Sequence, residues 1–331
     1  MRGPRLAPSV AELHLHLEGS LRAASAVELA AARGLPWGEL TPRQLQRKFR
    51  YASFVDFLYT VRDMAQVLCS YEGLERAAKE LSASLSSSGV RYAEVYVSPV
   101  IYARWGLDTA EALLAADRGF AAGELEGGAR CAILLDSVRH WGTDPAHAVL
   151  DAFERSGCTR AIGFGLGGDE TTPLAQFEEV FARVRSLGLR PIVHAGETGP
   201  AGDVRTAMRT LGVERVAHGI RAVDDPELLA EIRERGVALD VCLTSNYRTG
   251  AVRGAHPIRR LLDAGIAVTL STDDPSLFRT DLAREFRLAR RVFGVSGSEL
   301  ATIASNAIEH SFATEETKAT LRAELPRRLV G

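Results

Sequence analysis

An α/β protein, a (β/α)8 TIM barrel with a helical insertion after its first strand, is the fold this sequence predicts. Eight short apolar, β-branched runs recur along the chain, and helical stretches lie between most of them. No glycine-rich phosphate fingerprint follows the first run, which weakens a dinucleotide-binding alternative. Eight strands alternating with helices in 331 residues favour a closed barrel over a doubly wound sheet. With 46% hydrophobic and 25% charged residues the chain has length and composition for a large core, and residues 1–331 are expected to form one domain.

The first run, residues 12–19, alternates with period two, which is strand behaviour, and its histidines share a face: His14 and His16 stand at i and i+2. Residues 1–10 carry two arginines and no apolar stretch of the signal-peptide kind. From residue 20 to about residue 89 the periodicity is helical, as in 24–33 and 74–86, broken near Pro36 and Pro42. The aromatic group Phe49, Tyr51, Phe54, Phe57 and Tyr59 reads mostly as core, with a few rings left to line a pocket beside the first strand. The remaining strands are expected at 90–97, 130–135, 160–166, 191–194, 215–218, 237–243 and 266–271. Helices are expected at 173–187, 204–211, 226–235 and 256–264. The glycine-dense stretch 163–168 lies within and at the end of a strand instead of opening a helix.

Composition narrows the partners. A formal charge of −2 argues against nucleic acid or an anionic membrane, and no run approaches the roughly 20 apolar residues of a membrane span. The four cysteines, Cys69, Cys131, Cys158 and Cys242, form no CxxC pair and read as buried thiols of a reducing compartment. A cytoplasmic protein with a small-molecule substrate is expected.

In a barrel the C-terminal strand ends share one mouth, so distant residues become neighbours there. Read in order, the strand ends carry His14 and His16, then Gly168, Asp169 and Glu170, then His194 with Glu197, His218, and Asp273 with Asp274. His14, His16, His194 and Asp273 make a mononuclear zinc set with one open position for water. The fourth strand ends without a lysine that, carbamylated, bridges two metals, so one Zn2+ per subunit is expected. Such an ion lowers the pKa of water towards about 7. His218 and Asp273 are expected to orient and deprotonate that water. Glu197 is expected to act as an acid if burial keeps it protonated. Asp274 reads either as an acceptor from the substrate or as a helix cap before Pro275. His140, His147, His256 and His310 read as hydrogen-bonded core or surface residues.

Five motifs together resemble the adenosine deaminase family of the amidohydrolase superfamily: His14-Leu-His16 with Leu-Glu-Gly-Ser, His194-Ala-Gly-Glu197, Ala217-His218-Gly219, Thr244-Ser-Asn246 and Ser271-Thr-Asp-Asp-Pro275. The likeness runs from about residue 10 to residue 315 in consistent order. It implies hydrolytic deamination at C6 of a 6-aminopurine, with zinc on His14, His16, His194 and Asp273. By the same likeness Glu197 protonates N1, His218 positions and deprotonates the water, Asp274 contacts N7, and Gly168 offers its N–H to N3. His16 and Glu18 join the substrate contacts. Two departures bear on the substrate: members acting on adenosine commonly carry Asp where this chain has Glu18, and Asp-Leu-Ala-Gly-Asp-Glu where it has residues 165–170. Leu-Glu-Gly-Ser and Phe-Gly-Leu-Gly-Gly are similar to deaminases of 6-amino-6-deoxyfutalosine in menaquinone biosynthesis, and the aromatic stretch, Arg22, Arg104 and residues 281–286 fit that subgroup. Adenosine or 2′-deoxyadenosine is the alternative. Free adenine ranks third, because adenine-specific members show Ser-Ser-Glu where this chain has Gly-Asp-Glu.

Overall fold

The computed structural model describes residues 10–325; residues 1–9 and the end of the expected 1–331 domain lie outside them. Eight parallel strands follow one another around the sheet in chain order: β1 (Ala11–His16), β2 (Tyr92–Val97), β3 (Arg130–Val138), β4 (Ala161–Gly167), β5 (Arg190–Ala195), β6 (Arg215–His218), β7 (Ala238–Val241) and β8 (Val268–Leu270). Helices separate them on the outside, which is the predicted (β/α)8 barrel. Closure between β1 and β8 is made by backbone beyond the last strand: His16 N–H donates to the Asp273 carbonyl (2.8 Å), and Asp273 N–H donates to His14 (3.0 Å). Ser271 Oγ receives the N–H groups of Leu13 and His14. The seam of the barrel therefore runs through the strand ends that the sequence marks as chemical.

Several boundaries differ from expectation. The period-two alternation of β1 continues to Gly19, but the strand stops at His16 and Leu17–Ser20 forms one helical turn. β7 ends at Val241, and Leu243–Arg248 is a helix instead of more strand. In both places a buried apolar residue belongs to a helix packed on the barrel, a distinction that short apolar runs do not carry.

The insertion between β1 and β2 is helical, with Ala23–Ala32, Pro42–Lys48, Phe54–Leu68 and Tyr71–Ser87 as its main elements. Thr41, Ser53 and Ser70 each cap a helix by accepting a backbone N–H, which explains the punctuation of that stretch. Of its aromatics, Phe49 and Phe57 are buried, whereas Tyr59 is 54% exposed. Phe57 stacks on Phe278 beyond β8, and Tyr51 packs edge-on against both (centroids 5.0–6.1 Å), so the insertion leans over the barrel mouth.

The N-terminal half of the barrel is filled and closed. Tyr96, Leu134 and Ile192 pack with Phe312, and beneath them the fully buried Arg215 bonds Glu94 (2.6 Å) and Asp240 (2.7 Å). The four cysteines are free and buried. Among the described residues no helix is long and apolar enough to cross a membrane.

Candidate active site

Four ligand-type atoms meet at the C-terminal ends of β1, β5 and β8. His194 Nε2 lies 3.1 Å from His14 Nε2 and 3.2 Å from His16 Nε2. Asp273 Oδ1 lies 3.4 Å from His14 Nε2 and 3.3 Å from His16 Nε2. Ligands about 2.0–2.1 Å from a common tetrahedral cation stand about 3.3 Å apart, so this spacing fits one metal ion. The donor chemistry fits as well. His194 Nδ1 donates to the Leu166 carbonyl (2.9 Å), which leaves Nε2 with a free lone pair aimed at the cluster. Burial, then the neighbouring His14 and His16, hold His194 well below its ordinary pKa, in the neutral form a metal needs. At His16 burial works against charge, yet the Asp273 hydrogen bond and the Asp274 and Asp273 charges raise it to about 10, so the carboxylates draw positive charge to this point. A wider grouping that takes His218 in place of His16 spans up to 4.8 Å. Its looser spacing and the other bonds of His218 make His16 the better fourth ligand.

His218 belongs to a relay anchored in the backbone. Ile258 N–H donates to His256 Nδ1 (3.1 Å), which puts the His256 proton on Nε2, and Nε2 donates to Asn246 Oδ1 (3.1 Å). Asn246 Nδ2 then donates to His218 Nδ1 (3.2 Å) and to Glu197 Oε1 (3.3 Å). The His218 proton therefore sits on Nε2, 3.5 Å from Glu197 Oε2 and 3.9 Å from Asp273 Oδ2. Burial brings His256 down to about 4, and burial together with His14 brings His218 down to about 3, so both rings are neutral.

Glu197 is pushed well above the usual carboxylate range, first by burial and then by the negative charges of Asp273 and Glu170. Thr249 Oγ1 also donates to it (3.2 Å). Asp273 is held well below that range: burial opposes this, and hydrogen bonds from His14 and His16 outweigh it. Its second oxygen receives Ser245 Oγ (2.6 Å). The site thus contains one carboxyl built to keep a proton and another built to stay ionised.

Two functional positions sit in left-handed backbone. His218, the last residue of β6, and Asp273, three residues past the end of β8, both have φ of 63°, unusual for residues with a side chain. Asp274 follows, buried, with Oδ1 unpartnered and its pKa raised well above normal by burial and by Asp273. It precedes the turn Pro275–Phe278, but its side chain caps nothing, which removes the helix-cap reading. Asp274 lies directly against Gly19: a Cβ there falls 1.7 Å from Asp274 Oδ1.

Glu18 is buried beside this group, where it accepts from Tyr102 Oη (2.6 Å) and more weakly from Ser98 N–H (3.4 Å). Gly168, at φ 99°, stands at the end of β4 against His140, whose Nδ1 accepts Asp169 N–H (3.2 Å). Arg22 pairs with Glu80 at the exposed side, and Arg104 stacks on Trp141.

Three buried side chains of this region were not singled out from the sequence. His256 looked like background but completes the relay. Asn246 appeared only inside a motif. Asp136, on β3, is buried beside Ser98 (2.5 Å), with one oxygen unpartnered and its pKa raised to about 6, mainly by burial. Its position two residues before the C-terminal end of β3 was the available signal.

A family model described as adenosine deaminase matches residues 9–327. The aminodeoxyfutalosine deaminase of Streptomyces avermitilis is 33% identical over 320 residues, covering 95% of this chain and 89% of the relative. The solved adenine deaminase from Arthrobacter aurescens superposes with a TM-score of 0.91 at 31% identity, covering 96% of this chain and 98% of that one. An amidohydrolase from Burkholderia ambifaria with bound Zn superposes with a TM-score of 0.87 at 28% identity, covering 97% and 89%.

Proposed function

Because this chain belongs to the adenosine deaminase family and is a hydrolytic deaminase, we propose that it converts a 6-aminopurine nucleoside to the 6-oxo product and ammonia. The observation that carries this reading is the buried Glu197 carboxyl, 3.5 Å from His218 Nε2 beside the His14, His16, His194 and Asp273 cluster and pushed well above the usual carboxylate range by burial and by Asp273. One zinc ion on those four residues supplies activation of water at neutral pH; the zinc in the Burkholderia relative supports that choice of metal.

The chain's own groups account for the proton traffic. Asp274, whose carboxyl is pushed well above the usual range by burial and by Asp273, donates to the N7 lone pair of the purine through its unpartnered oxygen. His218, with Nδ1 tied to Asn246, orients the attacking water by donation from Nε2, and Asp273 Oδ2 takes the water's proton. This gives His218 an orienting role and leaves proton removal to Asp273. Glu197 gives its proton to N1 as oxygen adds at C6, making that carbon tetrahedral. The proton on Asp273 passes to the exocyclic nitrogen, the C6–N bond breaks, ammonia leaves, and the C6 hydroxyl loses its proton to Glu197 as the carbonyl forms. Gly168 N–H is assigned to N3, and His16 and Glu18 to the ribose side.

The 5′ substituent is assigned as in 6-amino-6-deoxyfutalosine. The Streptomyces relative and the Glu18–Tyr102 pair, set where adenosine-type members commonly carry Asp, support this. Free adenine is a second reading, favoured by the likeness to the Arthrobacter enzyme. The free thiols support a cytoplasmic setting. Measuring kcat/KM for 6-amino-6-deoxyfutalosine, adenosine and adenine, with metal content determined on the same preparation, tests the assignment. The futalosine-type nucleoside is expected to be best by at least about tenfold. A preference for adenine or adenosine overturns the substrate, and no turnover of any 6-aminopurine overturns the function.

A further inference from the structure

Three buried glutamates outside the ligand cluster each accept both the N–H and the hydroxyl of one threonine. Glu12 Oε1 receives both the N–H (3.0 Å) and the hydroxyl (2.5 Å) of Thr272. Glu285 receives the N–H of Thr244 at one oxygen (2.9 Å) and its hydroxyl at the other (2.5 Å), and Thr280 adds a second hydroxyl. Glu170 Oε2 receives the N–H (2.9 Å) and more distantly the hydroxyl (3.5 Å) of Thr198, together with the N–H of Gly199, and both its oxygens face Glu197 N–H (3.2 and 3.3 Å). Each gripped threonine adjoins a residue of the site: Thr272 precedes Asp273, Thr198 follows Glu197, and Thr244 lies next to Ser245 and two residues from Asn246.

We propose that Glu12, Glu170 and Glu285 are positioning residues, three carboxylate clamps that each fix one segment past a strand end, two loops and the first turn of the Leu243–Arg248 helix, by holding a threonine at two points. These segments need such a hold. Thr198, Thr244 and Thr272 all lie past the ends of their strands, where their N–H groups have left the sheet ladder and require another acceptor. Asp273 and its φ of 63° persist only if the surrounding structure imposes that conformation. A carboxylate accepts from every direction and cannot donate, so it suits a loop that presents an N–H and an O–H together. Burying three carboxylates costs stability unless their bonds are made, which ties the loops' geometry to the fold as a whole. The inference rests on the roles assigned above to Glu197, Asn246 and Asp273.

The test pairs amide hydrogen exchange with kinetics on the full-length, metal-loaded protein. Glu170→Gln and Glu285→Gln place an NH2 against donors. Glu12 uses a single oxygen that glutamine retains, so Thr272→Val is the informative change there, with Thr198→Val and Thr244→Val alongside and each Thr→Ser as the conservative control. The expected result is exchange at least about tenfold faster in the affected loop alone and kcat lower by about 10- to 100-fold with KM within about threefold, since an error of about 1 Å costs on that scale. Each Ser variant is expected to stay within about threefold of the parent. Unchanged loop exchange in the Gln and Val variants overturns the clamps, and faster exchange with unchanged kcat overturns their positioning role. Val and Ser variants losing kcat equally and in step with thermal midpoint reduce them to fold stability. If the Gln variants do not fold, the Val and Ser pairs still decide. Absence of deamination by the parent protein ends the proposed function, while the exchange data judge the clamps independently.

Discussion

Glu197 shows how much one residue's surroundings decide. Its carboxyl is buried next to Asp273 and Glu170, which pushes its pKa well above the usual carboxylate range and favours the protonated form. As pH rises through that raised pKa the donor is lost, and kcat/KM is expected to fall on the alkaline side, with no acid-side loss from this group; a pH–rate profile checks the sign. Glu197→Gln is expected to lower kcat by about 10²- to 10⁴-fold with metal content unchanged, measured by turnover and metal analysis. Gly19 matters for what it lacks. Gly19→Ala puts a methyl into Asp274, so kcat/KM is expected to drop at least about 100-fold while circular dichroism stays native. Glu197 was legible because a histidine, two small residues and a carboxylate close an apolar run. The contact between Gly19 and Asp274 was not, because 255 residues separate them in the chain.

At the scale of elements, local chemistry is readable where a single segment satisfies itself. The helix Gly297–Glu309 starts with a capping box in which Ser296 and Glu299 bond reciprocally, and Arg259 adds to Glu299 (2.5 Å). These contacts lower the Glu299 pKa from 4.5 to about 2, the Arg259 hydrogen bond first. A depressed carboxyl contributes stability that is present above pH 4.5 and lost as pH falls through about 2. Ser296→Ala is expected to cost about 1 kcal/mol at neutral pH and progressively less in acid, read from urea unfolding at several pH values. Element ends were less legible where packing intervened. Leu17 and Leu243 continue apolar runs, yet each belongs to a helix because the barrel offers a buried face there and no further strand partner.

At the scale of the molecule, closure and chemistry are one arrangement. The β1–β8 seam is made by His14, His16 and Asp273 backbone, and the side chains of the same residues, with His194 from across the barrel, form the ligand cluster. A metal ion held there would tie the first strand to the last. Removing it with a chelator is expected to lower Tm by several degrees, corresponding to about 3 kcal/mol when free metal stands about 100-fold above its Kd, with recovery on adding zinc. A thermal midpoint that ignores the chelator overturns this. The opposite end is locked without metal by Arg215, Glu94 and Asp240, whose buried charges are fully paired.

By itself the sequence determined the number and order of the strands, the helical insertion, and the residue types gathered at the strand ends, because apolar period and short motifs are local properties of the chain. The tertiary structure alone decided which atoms lie about 3 Å apart, which imidazole nitrogen carries its proton, and which carboxyl is protonated. Those depend on burial and on partners up to 260 residues away, and no local pattern encodes them.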